Sequence, residues 1–157
     1  MLNKAKHLIK DGEFELAQNI LFGLLKESPH DAEVNYHIAS AYDTQGKERQ
    51  AIPYYENALV QNITGVVREE TFIQLGSSYR CIGEYQKAKI ILSQGLRDFP
   101  ENPAIKTFLA MTLYNLNEGK TAVSILLNLV TESSNDQWLN KYQRAIKSYA
   151  KNLDESF

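Results

Sequence analysis

One small residue recurs along this chain at a nearly constant spacing. The recurring alanines are Ala17, Ala51, Ala88 and Ala122, and they are separated by 34, 37 and 34 residues. A turn-forming residue stands five positions before each of them, at Gly12, Gly46, Gly83 and Asn117. A period of 34 residues is typical of a repeated helix–turn–helix unit. The chain is therefore predicted to be all-α and to contain four copies of one such unit.

The third copy carries the most complete pattern. It reads Phe72-x2-Leu75-Gly76-x2-Tyr79, followed by Gly83, Tyr85, Ala88, Leu92, Gly95 and Pro100. This pattern resembles that of the tetratricopeptide repeat (TPR) family, in which an aromatic residue, Leu-Gly, Tyr, Ala, a second aromatic residue and a closing Pro recur. The resemblance implies an α-solenoid, in which four TPR helix–turn–helix repeats stack into a right-handed superhelix.

The repeats divide the chain into predicted segments. A single TPR domain is expected over 1–157, with repeats at about 1–30, 31–67, 68–101 and 102–134. Asp31 and Asn102-Pro103 are predicted to begin helices, because side-chain caps and an early proline favour a helix N-terminus. The longer step of 37 residues places three extra residues near 62–67. Either the second helix of repeat two is longer, or the linker after it is wider.

A final amphipathic helix is predicted over about 135–153. The end of a solenoid would otherwise expose an apolar face, so a capping helix is expected there. Its apolar residues include Trp138, Tyr142 and Tyr149. This face is expected either to cap its own stack or to dock a second copy of the chain.

Composition and charge exclude several classes of partner. The chain has 17 basic and 19 acidic residues, with a net charge of −2 and no long block of either sign. Nucleic-acid binding normally shows as a basic stripe, so no nucleic-acid partner is expected. No apolar run approaches the roughly 18 residues of a membrane span, and the N-terminus lacks a secretory signal. We therefore expect a cytoplasmic protein with no membrane partner, which agrees with its single cysteine.

No motif indicates catalysis, a metal or a cofactor. His7, His30 and His37 do not form a metal-binding helical pair, and they are interpreted as surface or packing residues. Cys81 falls toward the end of a first helix, where the helix dipole disfavours a thiolate. Gly119-Lys120-Thr121 lacks the earlier glycine of a phosphate-binding loop. We expect no enzyme activity, no metal and no cofactor.

The resemblance also nominates a binding surface, because the first helices of TPR proteins line a concave groove that binds ligands. Carried over to this sequence, the groove residues of the four repeats are Leu2, Lys6 and Ile9; Glu33, Tyr36, Ser40 and Asp43; Glu70, Ile73, Ser77 and Arg80; Ala104, Thr107, Met111 and Tyr114. Such a groove suits an extended peptide or a helix with apolar and charged anchors. The alternative is that these residues form solvated helix faces. Tyr36 and Arg80 are the predicted strongest contacts, since aromatic and arginine side chains concentrate binding energy.

One binding mode of the family can be tested against these positions. The chaperone-tail clamp uses Lys and Asn on one repeat, Asn on the next, and Lys and Arg on a third to hold a C-terminal carboxylate. Counted from repeat one, these places hold Leu2, Lys6, His37, Glu70 and Gln74; counted from repeat two, they hold Tyr36, Ser40, Gln74, Ala104 and Phe108. Neither set could neutralise a carboxylate, so no chaperone-tail partner of this kind is expected.

A narrower resemblance covers roughly 54–130. Small stand-alone bacterial TPR proteins share an Arg-x3-Phe/Ala-x2-Leu-Gly-Ser-x2-Arg-x2-Gly block. It stands here as Arg68, Phe72, Leu75, Gly76, Ser77, Arg80 and Gly83. The resemblance implies a bacterial protein that acts as a homodimer. Arg68 and Arg80 either serve this function or pair with acidic neighbours at the surface, where an ion pair contributes less than about 1 kcal/mol.

These observations together predict a protein–protein interaction module. Its expected role is that of a scaffold or adaptor that binds a peptide or protein segment in the concave groove. The alternative is a regulatory protein that senses a small peptide and alters the activity of a partner.

Overall fold

The described part of the chain is entirely helical. The computed structural model describes residues 1–154, and within this range it contains nine α-helices and no strand. The helices are α1 (Leu2–Lys10), α2 (Phe14–Glu27), α3 (Ala32–Asp43), α4 (Glu48–Val60), α5 (Gly65–Cys81), α6 (Tyr85–Asp98), α7 (Pro103–Asn115), α8 (Gly119–Ser133) and α9 (Gln137–Lys151). This order confirms the predicted all-α fold of helical repeats followed by a single helix.

The turn inside each helix pair has the same geometry in all four repeats. Gly46 has a φ of 68° and Asn117 a φ of 61°, and both therefore lie in the left-handed region. Glycine adopts this region without steric cost, and asparagine tolerates it better than most residues. The next N–H then donates to a carbonyl five residues earlier, as Lys47 does to Tyr42 and Glu118 does to Leu113. This hydrogen bond satisfies a free carbonyl at the end of each first helix.

Side-chain caps fix the starts of three helices. Asp31 Oδ1 accepts from the Val34 amide at 3.0 Å, and Asn102 Oδ1 accepts from the Ile105 amide at 3.0 Å. Both caps lie where the sequence predicts them. Asp136 Oδ1 accepts from the amides of Trp138 and Leu139 at 2.9 and 3.2 Å. Because Asp136 is the cap, α9 begins at Gln137, slightly later than the predicted position.

The three extra residues lie neither in the second helix of repeat two nor in the linker, so that prediction was wrong. α4 has 13 residues and ends at Val60, because Asn62 adopts a left-handed φ of 58° that stops the helix. The linker that follows, 61–64, has the same length as the linker 28–31 between α2 and α3. The extra residues extend α5, which is 17 residues long.

The chain divides into two compact units, which are described separately. The first unit is Met1–Glu84 and contains α1–α5. In it, α2 packs between α1 and α3, while α5 packs on α3 and α4. The second unit begins at Tyr85 and contains α6–α9, packed in sequence order. The division falls between the two helices of repeat three, and a single continuous domain stays a prediction.

The repeated small residues lie at the packed positions of both units. Ala17 and Ala51 in the first unit and Ala88 in the second are fully buried, and Ala122 is nearly so. Ala39 and Ala110, on the first helices of repeats two and four, are also buried. Small side chains at these places let neighbouring helices approach closely. The alanine period of the sequence therefore marks the packing of one helix on the next.

Candidate functional site

The first helices of the first unit form one surface. α3 contacts both α1 and α5, so the three helices lie side by side. Eleven of the fifteen predicted groove residues belong to these helices, among them Lys6, Tyr36, Ser40, Asp43, Glu70, Ile73, Ser77 and Arg80. We call these named residues, together with Glu33, the first-helix surface.

An ion pair joins α1 to α3 at one edge of this surface. Lys6 Nζ, on α1, donates to Glu33 Oε1, on α3. His37 lies one helical turn after Glu33, with its Nε2 atom 3.8 Å from the same carboxylate oxygen. Glu33 therefore faces two nitrogen groups, one on the neighbouring helix and one on its own.

Tyr36 joins α3 to α5. Its hydroxyl donates to Glu70 Oε2 at 2.6 Å, and its ring lies 5.9 Å from the Tyr55 ring and 5.0 Å from the His37 ring. Burial, followed by the hydrogen bond to Glu70, raises the pKa of Tyr36. The hydroxyl is therefore a protonated donor at neutral pH.

The burial of Tyr36 changes its expected role. Only 9% of the residue is exposed, so little of the ring is available as the strong contact that the sequence predicts. Its partner Glu70 is exposed. Tyr36 thus positions a carboxylate on the surface, and Glu70 is the member of the pair that a ligand can reach.

Asp43 joins three helices at the other end of α3. Its Oδ1 accepts from Ser78 Oγ on α5 at 3.2 Å, and its Oδ2 accepts from Tyr55 OH on α4 at 3.4 Å. Burial raises the pKa of Asp43, and these two hydrogen bonds oppose that effect. The carboxylate was predicted to face a ligand, but its oxygens are engaged within the fold.

These side-chain contacts form a polar ladder across the first-helix surface. Its rungs are Lys6–Glu33, Tyr36–Glu70 and Asp43–Ser78. Sequence reasoning missed Ser78, which is almost fully buried and therefore needs a hydrogen-bond partner. The spacing offers a signal, because the two rungs between α3 and α5 join residues 34 and 35 positions apart, close to one repeat.

The positions between the rungs remain open to solvent in part. Ser40, Ile73, Ser77 and Arg80 are each half-buried. Ser40 and Ser77 hold equivalent places in repeats two and three, and Ile73 lies one helical turn before Ser77 on α5. The surface therefore combines hydroxyl groups, one apolar side chain and the exposed carboxylate of Glu70.

Arg68 lies at the start of α5 and contacts the chain around it. Its Nη1 atom donates to the Ile63 carbonyl at 3.4 Å, and its Cζ atom lies 5.1 Å from the centre of the Phe72 ring. These contacts hold the turn between α4 and α5. They give Arg68 a structural role at this turn, and its predicted pairing with acidic neighbours stays a prediction.

The four remaining predicted groove residues, Ala104, Thr107, Met111 and Tyr114, belong to the second unit. Thr107, Met111 and Tyr114 follow one face of α7. Thr107 Oγ1 donates to the Pro103 carbonyl at 2.8 Å, Met111 is half-buried, and Tyr114 is 72% exposed. Of these, Tyr114 offers the largest accessible aromatic surface.

The described residues also limit the chemistry of the site. Within 1–154, no group of three or more His, Cys, Asp or Glu side chains is arranged to hold a metal ion. Cys81 is exposed and is the last residue of α5. In the same range, none of the helices has the length and apolar character needed to cross a membrane.

The burial of His37 in the first-helix surface predicts that the free energy of unfolding depends on pH. Burial lowers the pKa of His37 from 6.5 to about 4, and the charge of Lys6 on α1 acts in the same direction. Glu33 on α3 and Glu70 on α5 oppose this shift. Because the unfolded chain binds the proton more tightly, lowering the pH from about 6.5 to about 4 reduces the free energy of unfolding. This stabilisation is fully present above pH 6.5, the ordinary pKa of His37 that applies in the unfolded chain.

The His37→Gln variant tests this dependence, since glutamine does not titrate. Urea unfolding at pH 7 and pH 4.5 should show that the native chain loses about 2 kcal/mol more than the variant. Titration of the His37 ring followed by NMR measures the same pKa directly. A ring pKa near 6.5, or equal losses for both proteins, contradicts the account.

Comparison with known proteins assigns the chain to a family. A family model described as Tetratrico peptide repeat matches residues 32–153, which include α3–α9. No curated protein matches the chain. The match covers most of the sequence and agrees with the repeated helix pairs and their left-handed turns. The chain belongs to the tetratricopeptide repeat family.

Proposed function

We propose that this protein binds a peptide or protein segment along the first-helix surface and acts as a scaffold or adaptor. TPR repeats generally mediate protein–protein interaction. The polar ladder is the observation that carries the proposal, because it holds three neighbouring helices and their side chains in one arrangement. A surface ordered before binding loses less conformational entropy when a ligand arrives.

The chemistry of the surface suggests the kind of segment that fits. Ile73 offers an apolar contact, while Ser40 and Ser77 offer hydroxyl groups on the same surface. Glu70 favours a basic or hydrogen-bond-donating group on the ligand. The same carboxylate would repel a terminal carboxylate, and Lys6 is already paired with Glu33. We therefore propose a segment with apolar and basic or polar anchors, and no chaperone tail.

Substituting the two serines tests the proposal without disturbing the ladder. Ser40→Arg/Ser77→Arg places bulk and charge at two open positions of the surface, so binding should fall at least tenfold. The matched control is Gln50→Arg/Asn57→Arg, which makes the same change at two exposed positions of α4. Immobilised native chain and both variants are incubated with lysate from the source organism, and captured proteins are quantified by mass spectrometry.

The proposal expects a defined set of proteins that the native chain and the control capture and the Ser40→Arg/Ser77→Arg variant does not. Circular dichroism must show that all three chains are folded to the same extent. Capture of the same proteins by all three chains contradicts binding at this surface. Capture by none of them contradicts the scaffold role.

The regulatory alternative predicts that capture of a partner in the same experiment depends on an added peptide. A peptide sensor captures its partner only when the peptide is present, whereas a scaffold captures its partner without a further ligand.

TPR proteins are typically non-catalytic scaffolds, which supports the proposal that this chain is not an enzyme. The compartment and source that we propose are the cytoplasm of a bacterium, with neither nucleic acid nor membrane as partner.

We further propose that the protein forms a homodimer. The proposal is supported by the block that includes Arg68 and Arg80, which resembles that of small bacterial TPR proteins. Light scattering measures the mass directly, since one chain has a mass of 17.9 kDa. About twice this mass at micromolar concentration is the expected result. A mass of one chain up to the high micromolar range contradicts the dimer.

A further inference from the structure

α9 packs on α8 with one side and leaves its aromatic residues on another. Its Gln143 Nε2 atom donates to the Thr131 carbonyl of α8 at 2.9 Å, and its Ala150 is buried. Trp138 and Tyr142 are both more than half exposed. The aromatic face that the sequence predicts either to cap the stack or to dock a second copy therefore leaves most of its ring surface open.

α8 carries a second apolar stripe. Val123, Leu126 and Val130 follow each other at intervals of three and four residues, and each is more than a third exposed. Side chains at this spacing lie on one face of a helix. Large apolar residues concentrated on one surface are typical of an interaction site.

The packing of α8 on α9 places the two stripes side by side. Gln143 contacts the end of α8 at Thr131, while Ala150 borders a depression that also contains Lys120, near the start of α8. The two helices are therefore antiparallel. The helical register then puts both stripes on the side away from this depression. We call the combined stripes the end surface, and its residues are Val123, Leu126, Val130, Trp138, Tyr142 and Tyr149.

The end surface carries no charge of its own. Three cations of α9, Arg144, Lys147 and Lys151, line a separate depression together with two polar residues. A helix has about 3.6 residues per turn, which places these cations on the opposite side of α9 from Tyr142. Two copies of the chain can therefore meet through their end surfaces without bringing these cations together.

Lys141 lies beside the rings and is accommodated by them. Its Nζ atom is 5.1 Å from the centre of the Trp138 ring and 5.6 Å from that of Tyr142. A cation at this distance is attracted by the ring electrons. The whole chain has a net charge of only −2, so the repulsion between two copies at longer range is weak.

The exposed area is close to what a dimer interface needs. Aromatic side chains bury about 150–250 Å² each, so three rings that are each more than half exposed leave roughly 300 Å² open. The aliphatic stripe raises the apolar area of the end surface to roughly 400 Å². A standard interface buries about 800 Å² on each partner, and somewhat more than half of it is apolar. The end surface therefore supplies most of the apolar area that one copy contributes.

We propose that the end surface is the interface of the homodimer, in which α8 and α9 of one copy pack on α8 and α9 of its partner. This inference rests on the proposed homodimer and assigns a surface to it. A twofold contact joins the same patch on both copies, so the patch must complement itself. Uncharged aromatic and aliphatic stripes meet this condition. Two antiparallel helix pairs packed face to face would form a four-helix arrangement that covers Trp138 and Tyr142.

An acidic partner protein and an anionic membrane fit this surface less well. An acidic segment would be attracted to the cations of α9, and three of these lie across the helix from the aromatic stripe. Helices that bind in a membrane interface combine a deeply inserted apolar face with a basic face turned to the lipid headgroups. Here the side of α9 that contains Ala150 is occupied by α8. Both alternatives are outcomes of the test.

Trp138 reports on the proposed interface directly, because it is the only tryptophan of the chain. Light scattering and tryptophan emission are followed over the same range of protein concentration. Where the mass is about twice the 17.9 kDa of one chain, the emission should be blue-shifted and protected from acrylamide quenching. On dilution, the emission should shift to the red in step with the fall in mass.

Lysine substitutions in each stripe test the contact. Leu126→Lys/Val130→Lys keeps Trp138 as a reporter and places like charges across the twofold contact. The dissociation constant of the dimer should rise roughly tenfold or more, because like charges across an interface oppose association. Trp138→Lys/Tyr142→Lys makes the corresponding change on α9, and its mass should show the same weakening.

The matched control makes the same change at exposed aliphatic positions outside the end surface. Val60→Lys/Ile90→Lys alters α4 and α6, and it should dimerise like the native chain. Ser40→Arg/Ser77→Arg should also dimerise normally, since the first-helix surface and the end surface share no residue. Circular dichroism must show that all of these variants are folded to the same extent as the native chain.

The outcomes separate this inference from the homodimer itself. A native dimer that both lysine variants of the end surface retain unchanged overturns the inference and leaves the homodimer in place. A native chain that stays monomeric to the high micromolar range overturns both. In that monomer, a Trp138 shift caused only by anionic phospholipid vesicles would assign the end surface to a membrane. A captured protein that Leu126→Lys/Val130→Lys loses would assign it to another protein.

Discussion

The close approach of neighbouring helices is the constraint on which the structure depends. It is set by one small residue in each repeat, and all four of these alanines are buried. A larger side chain at any of them would push two helices apart, since well-packed interiors tolerate added methylene groups poorly. In repeats one, two and four, the left-handed turn five residues earlier joins the two helices that pack on each other. The repeat therefore consists of one turn and one packing position, each repeated four times.

Short distances between helices make the polar ladder possible. The side chains of tyrosine, serine and the carboxylates span from one first helix to the next only because α1, α3 and α5 lie side by side. Desolvation makes each buried polar group costly unless it is paired, which is why the Tyr36, Asp43 and Ser78 groups occur with partners. The same burial lowers the pKa of His37. The stability of the polar ladder, the lowered pKa of His37 and the ordered first-helix surface thus have one physical origin, which is burial between closely packed helices.

Local features of the fold could be predicted from the sequence with good accuracy. Asp31 and Asn102 are caps and Gly46 and Asn117 are turn residues, as the sequence predicts, because these properties depend on a few neighbouring residues. The start of α5 was missed, since the left-handed conformation of Asn62 stops α4. An asparagine has no obligatory turn conformation, so the sequence alone did not identify Asn62 as the residue that ends α4.

The candidate sites were less predictable, because they depend on how deeply each side chain is buried and on which face of its helix it lies. The family resemblance places Tyr36 on the first-helix surface, but it does not show that the ring is buried against Tyr55 and His37.

The central claim is that the polar ladder holds the first helices together, and a double-mutant cycle on Tyr36 and Glu70 tests it most directly. The free energy of unfolding is measured by urea denaturation at pH 7 for the native chain, Tyr36→Phe, Glu70→Gln and the double variant. A parallel cycle of Tyr36→Phe with Glu33→Gln is the control, because Glu33 pairs with Lys6 and His37 instead. The account predicts a coupling of about 1 kcal/mol for the first cycle and almost none for the second. Equal couplings, or none in either cycle, would show that the ladder does not hold the surface.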